Sequence, residues 1–238
     1  PWFADAGEPH AWPDTFKDAR VLALFGDSLT TDHILPGAQI TPDSAAGRYL
    51  SDQGVDPQDF NATTQRRGNH HVMMRSTFAN VRLNNLLISG VEGGFSVKFP
   101  EETRMDIFEA AELYRTEGTP MIVIAGKDYG MGSSRDWAAK GPALIGVKAV
   151  IAESIERIHR SNLIGMGVVP LLFKVGDNAQ SLGLNGEECY EITGLKGGII
   201  DGSPITITAT HKAGEITTFE TKADVQSPFE ADCLESGG

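Results

Sequence analysis

The sequence predicts an α/β fold, on three observations. Four apolar runs, Val21–Phe25, Met121–Ala125, Ala149–Ala152 and Val168–Phe173, have the length of buried strands. The segments between the last three are helical in spacing, the pattern that lays strands side by side under a cover of helices. After Glu191 the pattern changes to alternation: Ile205–Thr210 and Glu215–Phe219 flank Lys212-Ala-Gly214 as the arms of a hairpin do. The expected architecture is a mainly parallel or mixed sheet covered by helices, with a β-rich C-terminal part.

Taken in order, residues 1–19 are rich in Pro, Asp and aromatic side chains without periodicity and read as a linker or wrapping arm. Val21–Phe25 is a short buried strand running into Gly26-Asp27. Thr30 to Asn61 is loop-rich, with one helix near Ala45–Gln53. Val72 to Leu87 reads as a short helix followed by a strand at Val81–Leu83. Residues 106–115 carry Ile107, Ala110, Ala111 and Tyr114 on one helical face. After strand 121–125, Gly130 and Gly132 allow a tight turn, and Ser133 or Ser134 is expected to cap a helix from Asp136 to about Leu144. Strand 149–152, a helix at about 154–164 and strand 168–173 follow. One domain is expected over 20–225, with 226–238 as a truncated tail.

Composition bounds the function. With 238 residues, 40% of them hydrophobic, the chain suffices for one domain with a sizeable core. No run of about 18 apolar residues is present, so no helical membrane span is expected. The opening Pro1-Trp-Phe-Ala-Asp-Ala has neither a methionine nor a basic apolar leader, and with the unfinished end it suggests a cytoplasmic piece of a longer protein. A formal charge of −12 opposes binding to phosphate backbones and argues against a nucleic-acid partner. Cys189 and Cys233 form no Cys-x-x-Cys pair, so metal-ligand spacing is absent and free thiols in a reducing compartment are the default.

The most informative segment is Gly126-Lys-Asp-Tyr-Gly-Met-Gly-Ser-Ser-Arg-Asp-Trp137. Strand, glycine turn and helix start bring two hydroxyls, backbone N–H groups and a guanidinium to a point where the helix dipole favours negative charge, which suits a carboxylate or an oxyanion. On these residues alone, a capped helix with a surface arginine is the plainer account. Nucleotide binding fails on detail: Gly126-Lys127 precedes the turn, a P-loop needs Gly-Lys-Ser/Thr at its end, and Gly-x-Gly-x-x-Gly is missing.

This segment continues through Ala138-Ala-Lys-Gly-Pro142 into Ala149-Val-Ile-Ala-Glu-Ser-Ile-Glu-Arg-Ile-His-Arg-Ser-Asn-Leu-Ile-Gly-Met-Gly-Val-Val-Pro-Leu171. Together with Gly26-Asp-Ser-Leu-Thr-Thr-Asp-His33 and Arg66-Arg-Gly-Asn-His-His-Val-Met-Met-Arg-Ser-Thr-Phe-Ala-Asn80, it closely resembles the C-terminal swivelling domain of the aconitase family in its long bacterial and cytosolic form. The likeness covers about residues 20–225 and implies the swivelling β/β/α fold. It implies the substrate-closing part of a hydratase that interconverts citrate and isocitrate through cis-aconitate, with a small tricarboxylic acid and the remaining aconitase domains as partners. By the same resemblance Ser133 is the base that takes the proton, Ser134 and Arg135 hold substrate, and Asp32 and His33 lie at the rim of the site. A [4Fe–4S] cluster is implied for the full-length protein. It takes Cys thiolates, of which Cys189 and Cys233 are too few, so its ligands are expected outside this chain and none of its metal ligands within it.

One departure bears on substrate. The family has a substrate-binding arginine in the segment matching Arg48-Tyr-Leu-Ser-Asp-Gln-Gly54, and the best register puts Gln53 there. Glutamine keeps hydrogen-bond donors but loses the charge and the bidentate fork. Either a neighbour such as Arg48 substitutes, or the substrate is a relative of citrate such as 2-methylcitrate or 2-methylisocitrate. A different class, RNA binding by an aconitase relative, would need a local cleft of arginines; Arg66, Arg67 and Arg75 read better as structural arginines. His70, His71 and His159 have no visible partner at ligand spacing and are assigned no role.

Overall fold

A computed structural model describes residues 13–133 and 135–238. The expected arm therefore falls outside the described residues over 1–12, as does Ser134. Residues 15–19 correct that expectation: they are the first half of strand β1, Thr15–Leu24. Their alternation is hidden by Lys17 and Asp18, both exposed, while Phe16 and Ala19 point into the core.

From β1 the chain enters helices α1 (Thr31–Ile34), α2 (Ala45–Asp52) and α3 (His70–Ser76), with short 3-10 turns between the last two. The strand expected at 81–83 is instead a turn. Only Leu83 is buried there, and the Asn80 side chain accepts the Arg82 N–H at 2.9 Å. A two-stranded ribbon, β2 (Phe95–Lys98) with β3 (Thr103–Asp106), leads into α4 (Ile107–Glu117), whose expected apolar face is buried. Then come β4 (Met121–Ala125), α5 (Trp137–Ile145), β5 (Val147–Ala152), α6 (Arg157–Ile164) and β6 (Val169–Phe173). The remainder is β7 (Cys189–Thr193), α7 (Leu195–Ile200), the hairpin β8 (Ile205–Thr210) and β9 (Ile216–Ala223), and α8 (Pro228–Glu235).

The sheet is mixed, as the patterns indicate, but it closes on itself in the order β1-β4-β5-β6-β9-β8-β7, returning to β1. β1, β4, β5 and β6 run parallel; β9, β8 and β7 complete the ring antiparallel. The parallel strands read as continuous apolar runs because both faces are covered. Val21, Ile122, Ile124 and Ile151 face the barrel interior, whereas Leu22, Val123 and Val150 face α4 and α5. A third, small cluster of Ile40, Ala46, Leu50, Phe60 and Val72 holds the segment around α2 and α3.

The segment 226–238, expected as a truncated tail, contains helix α8. α8 is capped by Ser227, buries Ala231 and Leu234, and holds the buried Arg160 of α6 through Glu230, with contacts of 2.7 and 2.9 Å. Cys189 and Cys233 are free thiols. Among the described residues no helix is long and apolar enough to cross a membrane.

Candidate functional site

The site lies where three parallel strands end together. Phe25 N–H donates to the Ile124 carbonyl at 2.8 Å, Ser28 N–H to that of Lys127 at 2.7 Å, and Glu153 N–H to that of Gly126 at 3.1 Å. Asp27 adds a side-chain latch, accepting Lys127 N–H at 2.8 Å. This crossing demands glycine at 126, because a Cβ there would stand 2.0 Å from the Asp27 carboxylate. Loops leaving the carboxyl ends of parallel strands are where open α/β sheets gather ligand groups, and the same geometry obtains here.

Two of these loops then run alongside each other. Gly130 N–H donates to the Leu29 carbonyl at 2.7 Å, Thr31 N–H to that of Met131 at 2.9 Å, and the buried Thr31 hydroxyl to that of Ser133 at 2.8 Å. Ser133 is thereby held by its backbone, with its side chain exposed. It does not cap α5: the N-cap is Asp136, without a side-chain cap bond, and the helix starts at Trp137. The capping role expected of Ser133 is thus replaced by an exposed hydroxyl three residues ahead of the N-cap.

Arg135 and Asp32 meet across the loops. Arg135 Nη1 donates to Asp32 Oδ1 at 2.8 Å and to the Leu35 carbonyl at 3.1 Å. Asp32 Oδ1 also accepts Gly37 N–H at 3.2 Å, and its carbonyl accepts the Asn80 amide at 3.1 Å. Among the described residues Nε and Nη2 of Arg135 carry no such bond, so the edge that grips a carboxylate with two parallel bonds is unengaged. His33, by contrast, is a structural cap. Its Nδ1 lies 3.1 Å from Thr30 N–H, and its own N–H donates to the Thr30 hydroxyl at 3.1 Å, closing a capping box on α1. Its ring also lines a cleft of ≈ 190 Å³ with Asp27, Ser28 and Arg82.

A family model for the aconitase C-terminal domain matches residues 46–176, more than half of the chain. The chain belongs to the aconitase C-terminal domain family. All of it aligns at 50% identity with aconitate hydratase A of Thermus thermophilus, at 49% with that of Pseudomonas aeruginosa and at 48% with that of Escherichia coli, covering 26%, 26% and 27% of those proteins. This aconitase C-terminal domain thus spans about a quarter of the length of the curated relatives it matches. A solved 3-isopropylmalate dehydratase from Methanocaldococcus jannaschii superposes with a TM-score of 0.48 at 21% identity, covering 94% of this chain and 90% of that one.

The donors of this aconitase C-terminal domain do not fit a [4Fe–4S] cluster. Its two thiols sit on β7 and α8, and among the described residues no group of three or more His, Cys, Asp or Glu side chains could hold a metal ion. Gln53 is exposed at the C-terminal end of α2, and no described hydrogen bond ties its side chain to Asp32 or Arg135. The Arg48 guanidinium contacts both Asp106 and Glu109 at 2.7 Å.

Of the motif arginines, Arg66 and Arg75 are held by structural contacts rather than by ion pairs. Arg66 Nε donates to the Phe60 carbonyl at 3.0 Å; Arg75 lies between the rings of Tyr49 and Phe108, at 4.5 and 4.6 Å from their centroids. Arg67 is exposed. Sequence reasoning missed Thr31 and Asn80, although both stand inside quoted motifs. It also assigned nothing to His159, whose position under Gly130 depends on packing between distant segments.

Proposed function

We propose that this chain is the substrate-closing part of a hydro-lyase that interconverts citrate and isocitrate through cis-aconitate. Ser133 takes the proton from carbon, Arg135 grips a substrate carboxylate, and Ser134 adds a further contact. Asp32 holds the guanidinium in place. The observation that carries this reading is the divided use of Arg135: Nη1 is spent on Asp32 and Leu35, while the carboxylate-binding edge is left over, two residues from an uncapped serine. The cluster of the complete enzyme belongs to other domains of the same polypeptide, and what this chain does stops at proton removal and carboxylate binding.

The test uses the complete enzyme. Ser133→Ala removes the base and little of the grip, so kcat falls by about 10³-fold with KM nearly unchanged. Arg135→Lys cannot form the bidentate pair and raises KM as well, for a loss of about 10- to 100-fold in kcat/KM. Near-normal rates in both variants would remove Ser133 and Arg135 from the mechanism.

A second reading, action on 2-methylcitrate or 2-methylisocitrate, is favoured by Gln53 together with the prior engagement of Arg48. A family position that binds a carboxylate elsewhere is uncharged here, and the Arg48 guanidinium contacts Asp106 and Glu109.

A further inference from the structure

The turn that carries Ser133 rests on a buried histidine. Gly130 adopts φ +79°, and a Cβ added to it would lie 2.1 Å from Cδ2 and 2.2 Å from Cγ of His159, so the imidazole packs directly on its Cα. From the other side the Leu29–Thr31 segment holds the same turn through the Gly130, Met131 and Ser133 backbone bonds. His159 is itself fixed. The Glu156 carboxylate accepts its N–H at 3.0 Å, and Glu156 N–H donates to the Tyr129 carbonyl at 2.9 Å.

Its chemistry is out of keeping with packing alone. His159 is 1% exposed, and neither ring nitrogen has a hydrogen-bond partner among the described residues. The Tyr129 hydroxyl beside it is also buried and unpartnered, with the two ring centroids 5.3 Å apart. Buried polar groups without a protein partner cost folding free energy that a leucine or phenylalanine would not. We propose that His159 is a positioning residue for Ser133, its imidazole setting the level of the 130–133 turn by contact with Gly130. This rests on the reading of Ser133 as the base. The imidazole does not touch substrate and carries no proton: burial holds it neutral, its pKa lowered to about 4.

The experiment compares Ser133→Ala, His159→Leu, His159→Ala, Gly130→Ala and the double variant Gly130→Ala/His159→Ala in the complete enzyme. His159→Leu should lower kcat at least about tenfold, since displacement of a reacting group by about 1 Å is that costly, while KM stays within about threefold and the thermal midpoint holds or rises. Its pH–rate profile should keep both limbs. Gly130→Ala should be severely impaired alone and should recover part of its kcat once His159→Ala removes the collision, the strain of a Cβ at φ +79° remaining in both. An unchanged kcat in His159→Leu, a lost limb in its profile, or additive losses in the double variant would each overturn the proposal. Should His159→Leu not fold, His159→Phe is read for kcat in the same way. If Ser133→Ala keeps full turnover, the functional reading fails instead, and the two failures are told apart.

Discussion

His159 also makes the stability of the domain depend on pH in a direction that can be worked out. Burial lowers its pKa from 6.5 to about 4, with Glu156 opposing only in part. Above pH 6.5 the imidazole is neutral in both folded and unfolded chains and contributes no slope. As pH falls below 6.5 the unfolded chain takes up a proton that the folded chain refuses, so stability drops until the folded group titrates near pH 4. At 1.36 kcal/mol for each pH unit, the loss between these limits is about 3 kcal/mol, a large share of a domain's net stability. The perturbation is His159→Leu, which leaves a neutral side chain at every pH. Urea unfolding of wild type and variant, followed by circular dichroism from pH 7.5 to 4, gives two curves of free energy against pH. Carboxylates and the other histidines bend both curves alike, so the difference isolates His159. The gap should shift toward the variant by about 3 kcal/mol between pH 7 and pH 4. Parallel curves would refute the reasoning, for they would mean that the imidazole is solvated or paired in the folded chain.

Three further outcomes follow from the same geometry. Glu230→Ala strips the partner from a guanidinium that is only 6% exposed and should cost about 3 kcal/mol, read as a lowered urea midpoint; a loss under about 1 kcal/mol would show that the Arg160–Glu230 clamp does not anchor α8. Asp32→Asn breaks a largely exposed pair, so stability should move by less than about 1 kcal/mol, yet KM of the complete enzyme should rise severalfold because Arg135 loses its anchor; an unchanged KM would make the pair incidental. Gln53→Arg should shift the ratio of specificity constants for citrate over 2-methylcitrate by about tenfold, measured by steady-state rates on both; a constant ratio would mean that Gln53 faces away from substrate.

The parallel half of the barrel was legible because its strands are buried on both faces, so Met121–Ala125 could hardly be anything else. The first half of β1 and helix α8 were not. Each buries only alternate or isolated side chains, Phe16 and Ala19 in one and Ala231 and Leu234 in the other, and a pattern that thin is indistinguishable from a polar arm. Closure of the ring depends on Phe16 pairing with Ile192 and Ala19 with Tyr190, which no local pattern announces. At the site, motifs supplied Ser133, Arg135 and Asp32, but the contact between the last two joins residues 103 apart and had to be seen. Residues 81–83 misled through composition: Val81 is an apolar residue that lies 76% exposed.

The electrostatics of Arg135 bear on the proposed function, in which this surface closes over substrate together with other domains. Its side chain is 33% exposed and Asp32 is more so, which places both charges in water-like surroundings. There a carboxylate held at about 4 Å gains only about 1 kcal/mol, against about 4 kcal/mol where the effective dielectric constant falls to about 20. Ser133 stands under the same limit, since an exposed hydroxyl has no stabilised alkoxide until water is excluded around it. On the proposed function, both groups would gain strength together if the rest of the polypeptide covered the loops after β1 and β4. Preorganisation is what the chain itself contributes. Asp32 bonds the guanidinium, Thr31 fixes the Ser133 backbone and His159 packs against Gly130 of the turn, so that, on the proposed function, closure would have only to remove solvent.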